Sequence, residues 1–142
     1  METIAQLLDQ KGRHIWSIGP DASVYEGIQL MADKGVGALV VMDEGRLAGI
    51  ISERDYARKV VLKDRSSRET KIAEIMSTQV IYARPDQSAE EGLTMMTEKR
   101  VRHLPVMNGE ELVGVVSIGD LVKAIIAEQQ QMIAQLEQYI SG

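Results

Sequence analysis

The chain has 142 residues, a formal net charge of −5, 44% hydrophobic and 26% charged residues, and no cysteine. That length and mix describe one globular module, and the acidic balance gives no overall attraction for nucleic acid. Without cysteine there is neither a disulfide framework nor a thiolate metal site. No apolar run approaches the roughly 20 residues of a membrane helix, and the opening residues show no signal-peptide pattern; a soluble cytoplasmic protein is expected.

In chain order, Ile4, Leu7 and Leu8 mark a short amphipathic piece. Residues 14–18 form an extended run ended by Gly19-Pro20. Ser23 starts a helix with Glu26 at capping-box spacing, and Val24, Ile28 and Met31 make its apolar face. Two β-rich runs, 38–42 and 47–52, flank the turn Asp43-Glu44-Gly45, and a second helix starts at Ser52. The charged, Ser-rich stretch 63–70 is a linker, and 71–76 reads as a short helix leading into a strand over 80–83. The pattern then repeats. Ser88 starts a helix with Glu91 three residues on, and runs 104–107 and 112–117 flank Asn108-Gly109, a strong hairpin signal. Another helix starts at Ser117, and 121–140 reads as one long final helix. Its apolar residues Leu121, Ile125, Met132, Leu136 and Tyr139 run at heptad-like spacing, interrupted by Gln129. That stripe packs either on its own domain or on a second copy.

The duplication is gapless. A shift of 65 positions lays Pro20-Asp21 on Pro85-Asp86, Ser23 on Ser88, Met31 on Met96, Gly49 on Gly114, Ser52 on Ser117 and Asp55 on Asp120. Units of about 60 residues bury too little surface to be comfortable alone, so two copies sharing a core are expected. The expected division is 1–70, the first repeat with its N-terminal helix and linker, and 71–142, the second with its C-terminal helix.

Two heptapeptides carry the chemistry, Gly49-Ile50-Ile51-Ser52-Glu53-Arg54-Asp55 and Gly114-Val115-Val116-Ser117-Ile118-Gly119-Asp120. Each falls where a strand meets a helix N-terminus. Gly49 and Gly114 would let a flat ligand approach the backbone. The hydroxyls of Ser52 and Ser117, with the free amides of the first helical turn, suit a phosphate. The carboxylates of Asp55 and Asp120 suit two neighbouring ribose hydroxyls. Ser-x-x-Asp is also an ordinary helix cap, but it occurs at the same place in both copies.

With these motifs, the string Arg102-His103-Leu104-Pro105-Val106 and the Pro-Asp-x-Ser starts at Pro20 and Pro85, the chain resembles a tandem cystathionine-β-synthase (CBS) domain pair, or Bateman module, over about residues 14–126. The resemblance implies an α/β (α+β) fold of two pseudo-symmetric β-α-β-β-α repeats packed sheet to sheet, with an extended C-terminal helix. It also implies clefts that take adenine nucleotides: AMP, ADP, ATP, NAD(H) or S-adenosylmethionine. In such modules the motif Asp holds the ribose hydroxyls and the Ser meets phosphate. Basic residues at the start of the central strand also meet phosphate, a role that falls to Arg102 and His103. The first copy has Gly37-Ala38 there, but carries Arg54 where the second has Gly119, so two non-equivalent sites are expected. Weaker candidates for the adenine slot are Ile15, Ile18, Ala38 and Leu39 in one half, and Val80, Ala83 and Leu104 in the other.

The expected function is a non-catalytic nucleotide sensor. AMP comes first because the phosphate contacts are few, with NAD(H) a close rival, and no metal is required. A downstream protein would read the ligand state through a conformational or dimer change. A homodimer, head to head or head to tail, is implied, with no nucleic-acid or membrane partner. The alternative is a ligand-free dimerisation scaffold. An enzyme is disfavoured by the absence of a P-loop, a His-Glu-x-x-His and a nucleophile elbow.

Overall fold

Along the chain run α1 (Ile4–Lys11), β1 (Ser17–Ile18), α2 (Val24–Lys34), β2 (Ala38–Asp43), β3 (Arg46–Ser52) and α3 (Glu53–Tyr56), which continues as a π-helical turn, Ala57–Val61. Then follow α4 (Ile72–Ile75), α5 (Ala89–Lys99), β4 (His103–Asn108), β5 (Glu111–Ser117) and α6 (Ile118–Ser141). The computed structural model describes residues 2–141; Met1 and Gly142, the outermost residues of the two expected halves, lie outside it.

Local chemistry explains the element ends. Ser23 Oγ accepts from the Glu26 amide and Ser88 Oγ from the Glu91 amide, each at 3.1 Å, so the two helices begin alike. They end differently. Gly35 closes α2 in the left-handed region at φ 65°, whereas Arg100 closes α5 there at φ 56°.

The hairpins are near replicas. β2 pairs antiparallel with β3 from Ala38↔Ser52 to Asp43↔Arg46, and β4 with β5 from His103↔Ser117 to Asn108↔Glu111. Both shift register at the same place, after Val41 and after Val106. The leading strands are shorter than expected. The run at 14–18 contributes only β1, parallel to β2, and the run at 80–83 only the isolated bridge Ala83↔Val106. Pro20 and Pro85 follow closely and have no N–H with which to extend a ladder.

The expected boundary at residue 70 separates the sequence repeats but not the compact units. One unit comprises residues 15–80; the other comprises 1–14 together with 81–142. The helix before each repeat explains this. The Ile4 amide donates to the Gln87 carbonyl (2.8 Å) and the Ala5 amide to Pro85 (2.9 Å). Likewise the Ile72 amide donates to Ala22 and the Ala73 amide to Pro20, both at 2.9 Å. Thus α1 completes the second repeat and α4 the first. Ile4, Leu7 and Leu8 enter one core with Leu104, Val116 and Leu121; Ile72 and Ile75 enter the other with Leu39, Val41 and Ile51. Burying such side chains fully contributes roughly 1.5–3 kcal/mol each, so both helices are structural members of their units.

Candidate ligand site

In each unit the strand–helix junction brings the motif residues together. Ser52 ends β3 directly opposite Ala38, and Ser117 ends β5 directly opposite His103. The Ser52 amide donates to Asp55 Oδ2 (2.8 Å) while the Asp55 amide donates to Ser52 Oγ (3.3 Å). Ser117 and Asp120 repeat the arrangement at 2.8 and 3.2 Å. The first helical amide is tied to the start of the neighbouring strand. Glu53 N donates to the Gly37 carbonyl (3.1 Å), and Ile118 N to the Arg102 carbonyl (2.9 Å). The backbone therefore sets Arg102 and His103 beside the turn that carries Ser117 and Asp120. Gly37 and Ala38 hold those places in the first unit. Arg54 and Arg102 are exposed and His103 is half-buried.

Each motif aspartate also carries a lysine. Lys59 Nζ lies 3.1 Å from Asp55 Oδ1 and donates to the Ile75 carbonyl at 2.8 Å. Lys11 Nζ donates to Asp120 Oδ2 at 2.5 Å and to the Val115 carbonyl at 2.9 Å. Lys11 is 109 positions from its partner in the chain. The i,i+4 spacing of Asp55 and Lys59 is a readable signal for the first pair. Nothing in the sequence signals the second. Burial alone would raise the Asp120 carboxyl, but the Lys11 ammonium and the Ser117 amide outweigh it and hold the group below its ordinary range.

Several expected contacts are corrected. A side chain at Gly49 would meet the Ser77 carbonyl oxygen at 2.7 Å and Met76 Sδ at 2.9 Å; one at Gly114 would meet Leu8 Cδ2 at 2.7 Å. The missing side chains make room for Met76 and Ser77, which follow α4, and for Leu8 within α1, so packing within each unit already accounts for both glycines. Of the adenine candidates, Leu39, Ala83 and Leu104 are core members whose side chains no ring can reach. Ala38 is buried as well, and Ile18 packs partly on the first core. Ile15 and Val80 are half-buried and belong to the same unit, rather than one to each half.

A duplicated helix–hairpin–helix unit, with a Ser-x-x-Asp turn heading each last helix, defines a tandem module. The chain belongs to the CBS-domain family: the CBS domain model matches residues 12–62 and again 72–127. It is 37% identical over 150 residues to the CBS domain-containing protein CBSX3, mitochondrial, of Arabidopsis thaliana, covering 99% of this chain and 72% of that protein. A solved protein with CBS domains from Burkholderia ambifaria MC40-6 is 52% identical, with a TM-score of 0.86 over 90% of this chain and 96% of that one. A CBS domain pair solved in complex with 5′-methylthioadenosine and S-adenosyl-L-methionine shares the fold at 22% identity, with a TM-score of 0.80 over 90% of this chain and 98% of that one. Among the described residues, no helix is long and apolar enough to cross a membrane.

Proposed function

We propose that the chain is a non-catalytic sensor of adenine nucleotides that passes ligand state to a partner protein. The observation that carries this reading is the convergence of Ser117, Asp120, Arg102 and His103 at one strand–helix junction. Ser117 and the basic pair are the phosphate side, and Asp120 is the ribose side. In the first unit Ser52 and Arg54 take the phosphate role and Asp55 the ribose role. AMP suits a junction with so few cations, and NAD(H) presents the same adenosine-phosphate end; ADP, ATP and S-adenosylmethionine complete the class. The 22%-identical pair holds S-adenosyl-L-methionine and 5′-methylthioadenosine, which share the adenosine part of these ligands. No metal is needed for this recognition. A cysteine-free chain suits the reducing cytoplasm.

A ligand that binds only the folded state raises the melting temperature by mass action. Melting the protein with AMP, ADP, ATP, NAD, NADH and S-adenosylmethionine, beside adenosine and inorganic phosphate, tests the proposal. A rise with a nucleotide that adenosine does not produce supports it. The second reading, a ligand-free scaffold, is favoured by one feature: Ser52 and Asp55 cap each other completely, with both backbone and side-chain bonds made. No rise with any nucleotide would establish that reading and leave both Ser-Asp pairs as helix caps.

A further inference from the structure

Most of α6 extends beyond the core that holds its start. Leu121 and Ala124 are its buried residues and Ile125 packs partly on the same core, whereas every residue from 129 to 141 is exposed. A helical extension of that length without tertiary contacts is marginal in water. Its exposed apolar residues nevertheless include a heptad series, with Met132 and Tyr139 flanking it on one side. Ile126, Ile133 and Ile140 recur every seventh residue, and Val122, Gln129 and Leu136 fall between them at alternating steps of four and three. Exposures are 38% for Val122, 48% for Ile126, 54% for Ile133, 56% for Leu136 and 83% for Ile140. The stripe read from sequence alone therefore divides. Leu121 and Ile125 turn to their own core, and the outward seam begins one residue later.

We propose that this seam binds the same seam of a second copy, forming a parallel two-stranded coiled coil. In heptad terms the isoleucines occupy a, while Val122, Gln129 and Leu136 occupy d. Isoleucine at a with leucine at d favours two parallel strands. Gln129 points to an identical partner: in register, each layer faces its own copy and the two amides satisfy one another. An apolar surface from another protein would leave that amide buried and unpaired. Charge agrees, because Glu137 is the one charged residue between 129 and 141. The seam holds nothing to attract an oppositely charged partner and nothing to repel its twin. At 1.5 Å per residue, Val122 to Ile140 spans roughly 27 Å, short for a free coiled coil. Here the folded unit already holds the helix start, which lowers the ordering cost.

The absence of native cysteine makes a direct test possible. In a parallel, in-register pair, Gln129→Cys places two thiols within disulfide reach, whereas Gln131→Cys on the outer face does not. Mild oxidation with diamide is expected to link Gln129→Cys into a covalent dimer and leave Gln131→Cys largely unlinked. Sedimentation of the Ile133→Glu/Leu136→Glu double variant is expected to give half the wild-type mass, with the far-UV signature and melting of the units retained. Equal mass for the double variant and wild type overturns the proposal, as does a monomeric wild type. Halved mass with equal linking of the two cysteine variants overturns the parallel arrangement.

Discussion

The two units hold their motif aspartates with lysines drawn from different places. Lys59 comes from the same helical segment as Asp55, and its counterpart in the second repeat is Ala124. Lys11 comes from α1, and 68 positions on, where α4 answers α1, stands Gln79. Each unit has a lysine at one of the two positions and not at the other, so the ammonium–carboxylate contact is made from a different place in each. The bonding is not equivalent. Asp55 uses Oδ2 for Ser52 and Oδ1 for Lys59, whereas the bonds to Asp120 among the described residues fall on Oδ2. The second unit also has Arg102 and His103 at the start of the strand that pairs with β5, where the first has Gly37 and Ala38. Duplication preserves a backbone frame more faithfully than it preserves a binding surface.

The largest expected break in the symmetry concerns stability. At Gly49 an added Cβ meets a backbone carbonyl, but at Gly114 it meets the tip of Leu8, which can move. Overpacking costs typically 1–3 kcal/mol, so Gly49→Ala is expected to lose about 3 kcal/mol and Gly114→Ala about 1 kcal/mol by urea unfolding. Equal losses would show that the backbone near Ser77 yields as easily as a side chain.

Binding should follow the basic residues Arg102 and His103, which stand beside Asp120 and have no counterpart beside Asp55. A hydrogen bond to a charged group is worth about 1.5–3 kcal/mol, so Asp120→Ala is expected to weaken AMP binding roughly 10- to 100-fold by calorimetry. Asp55→Ala is expected to weaken it less than Asp120→Ala does, because the first unit lacks the basic pair at the strand start. A larger loss from Asp55→Ala would assign the principal site to the first unit.

The helix ends offer a smaller contrast. Gly35→Ala is expected to cost about 1 kcal/mol, since a side chain there takes on left-handed backbone strain. Arg100→Gly relieves the same strain in α5 and is expected to raise the melting temperature. A lower melting temperature would mean that the Arg100 side chain contributes more than its backbone costs.

The smallest effect is the most specific. Lys11→Met removes a partly exposed ion pair, worth at most about 1 kcal/mol near neutral pH. The folded Asp120 carboxyl lies below its ordinary value. Its contribution is therefore complete above the unfolded value of about 3.9 and fades as pH falls through the lower folded one. Wild type should lose more stability than Lys11→Met on acidification below about pH 4. Parallel acid profiles would show that the Ser117 amide alone holds Asp120 in its ionised form.

Much of this was legible because it is local. The capping serines, the Asn108-Gly109 turn, the β-rich runs and the Ser-x-x-Asp spacing act over three or four residues, where backbone geometry leaves few choices. Repetition at 65 positions then carried each reading from one copy to the other. The adenine candidates fared worse. An apolar strand residue such as Leu104 reads the same whether it lines a slot or fills a core, and only its neighbours distinguish the two. Gly49 and Gly114 read as places of close approach, but what packs against them is the residues just after α4 and Leu8 of α1.

The sequence by itself therefore determined the repeated elements, the family and the position of each motif at a strand–helix junction, all consequences of short-range preferences. Tertiary structure alone decided that α1 completes the second repeat, that Lys11 reaches Asp120, and which face of α6 is left uncovered. Those outcomes depend on contacts between residues far apart in the chain, where burial and charge pairing select among partners that local pattern cannot rank.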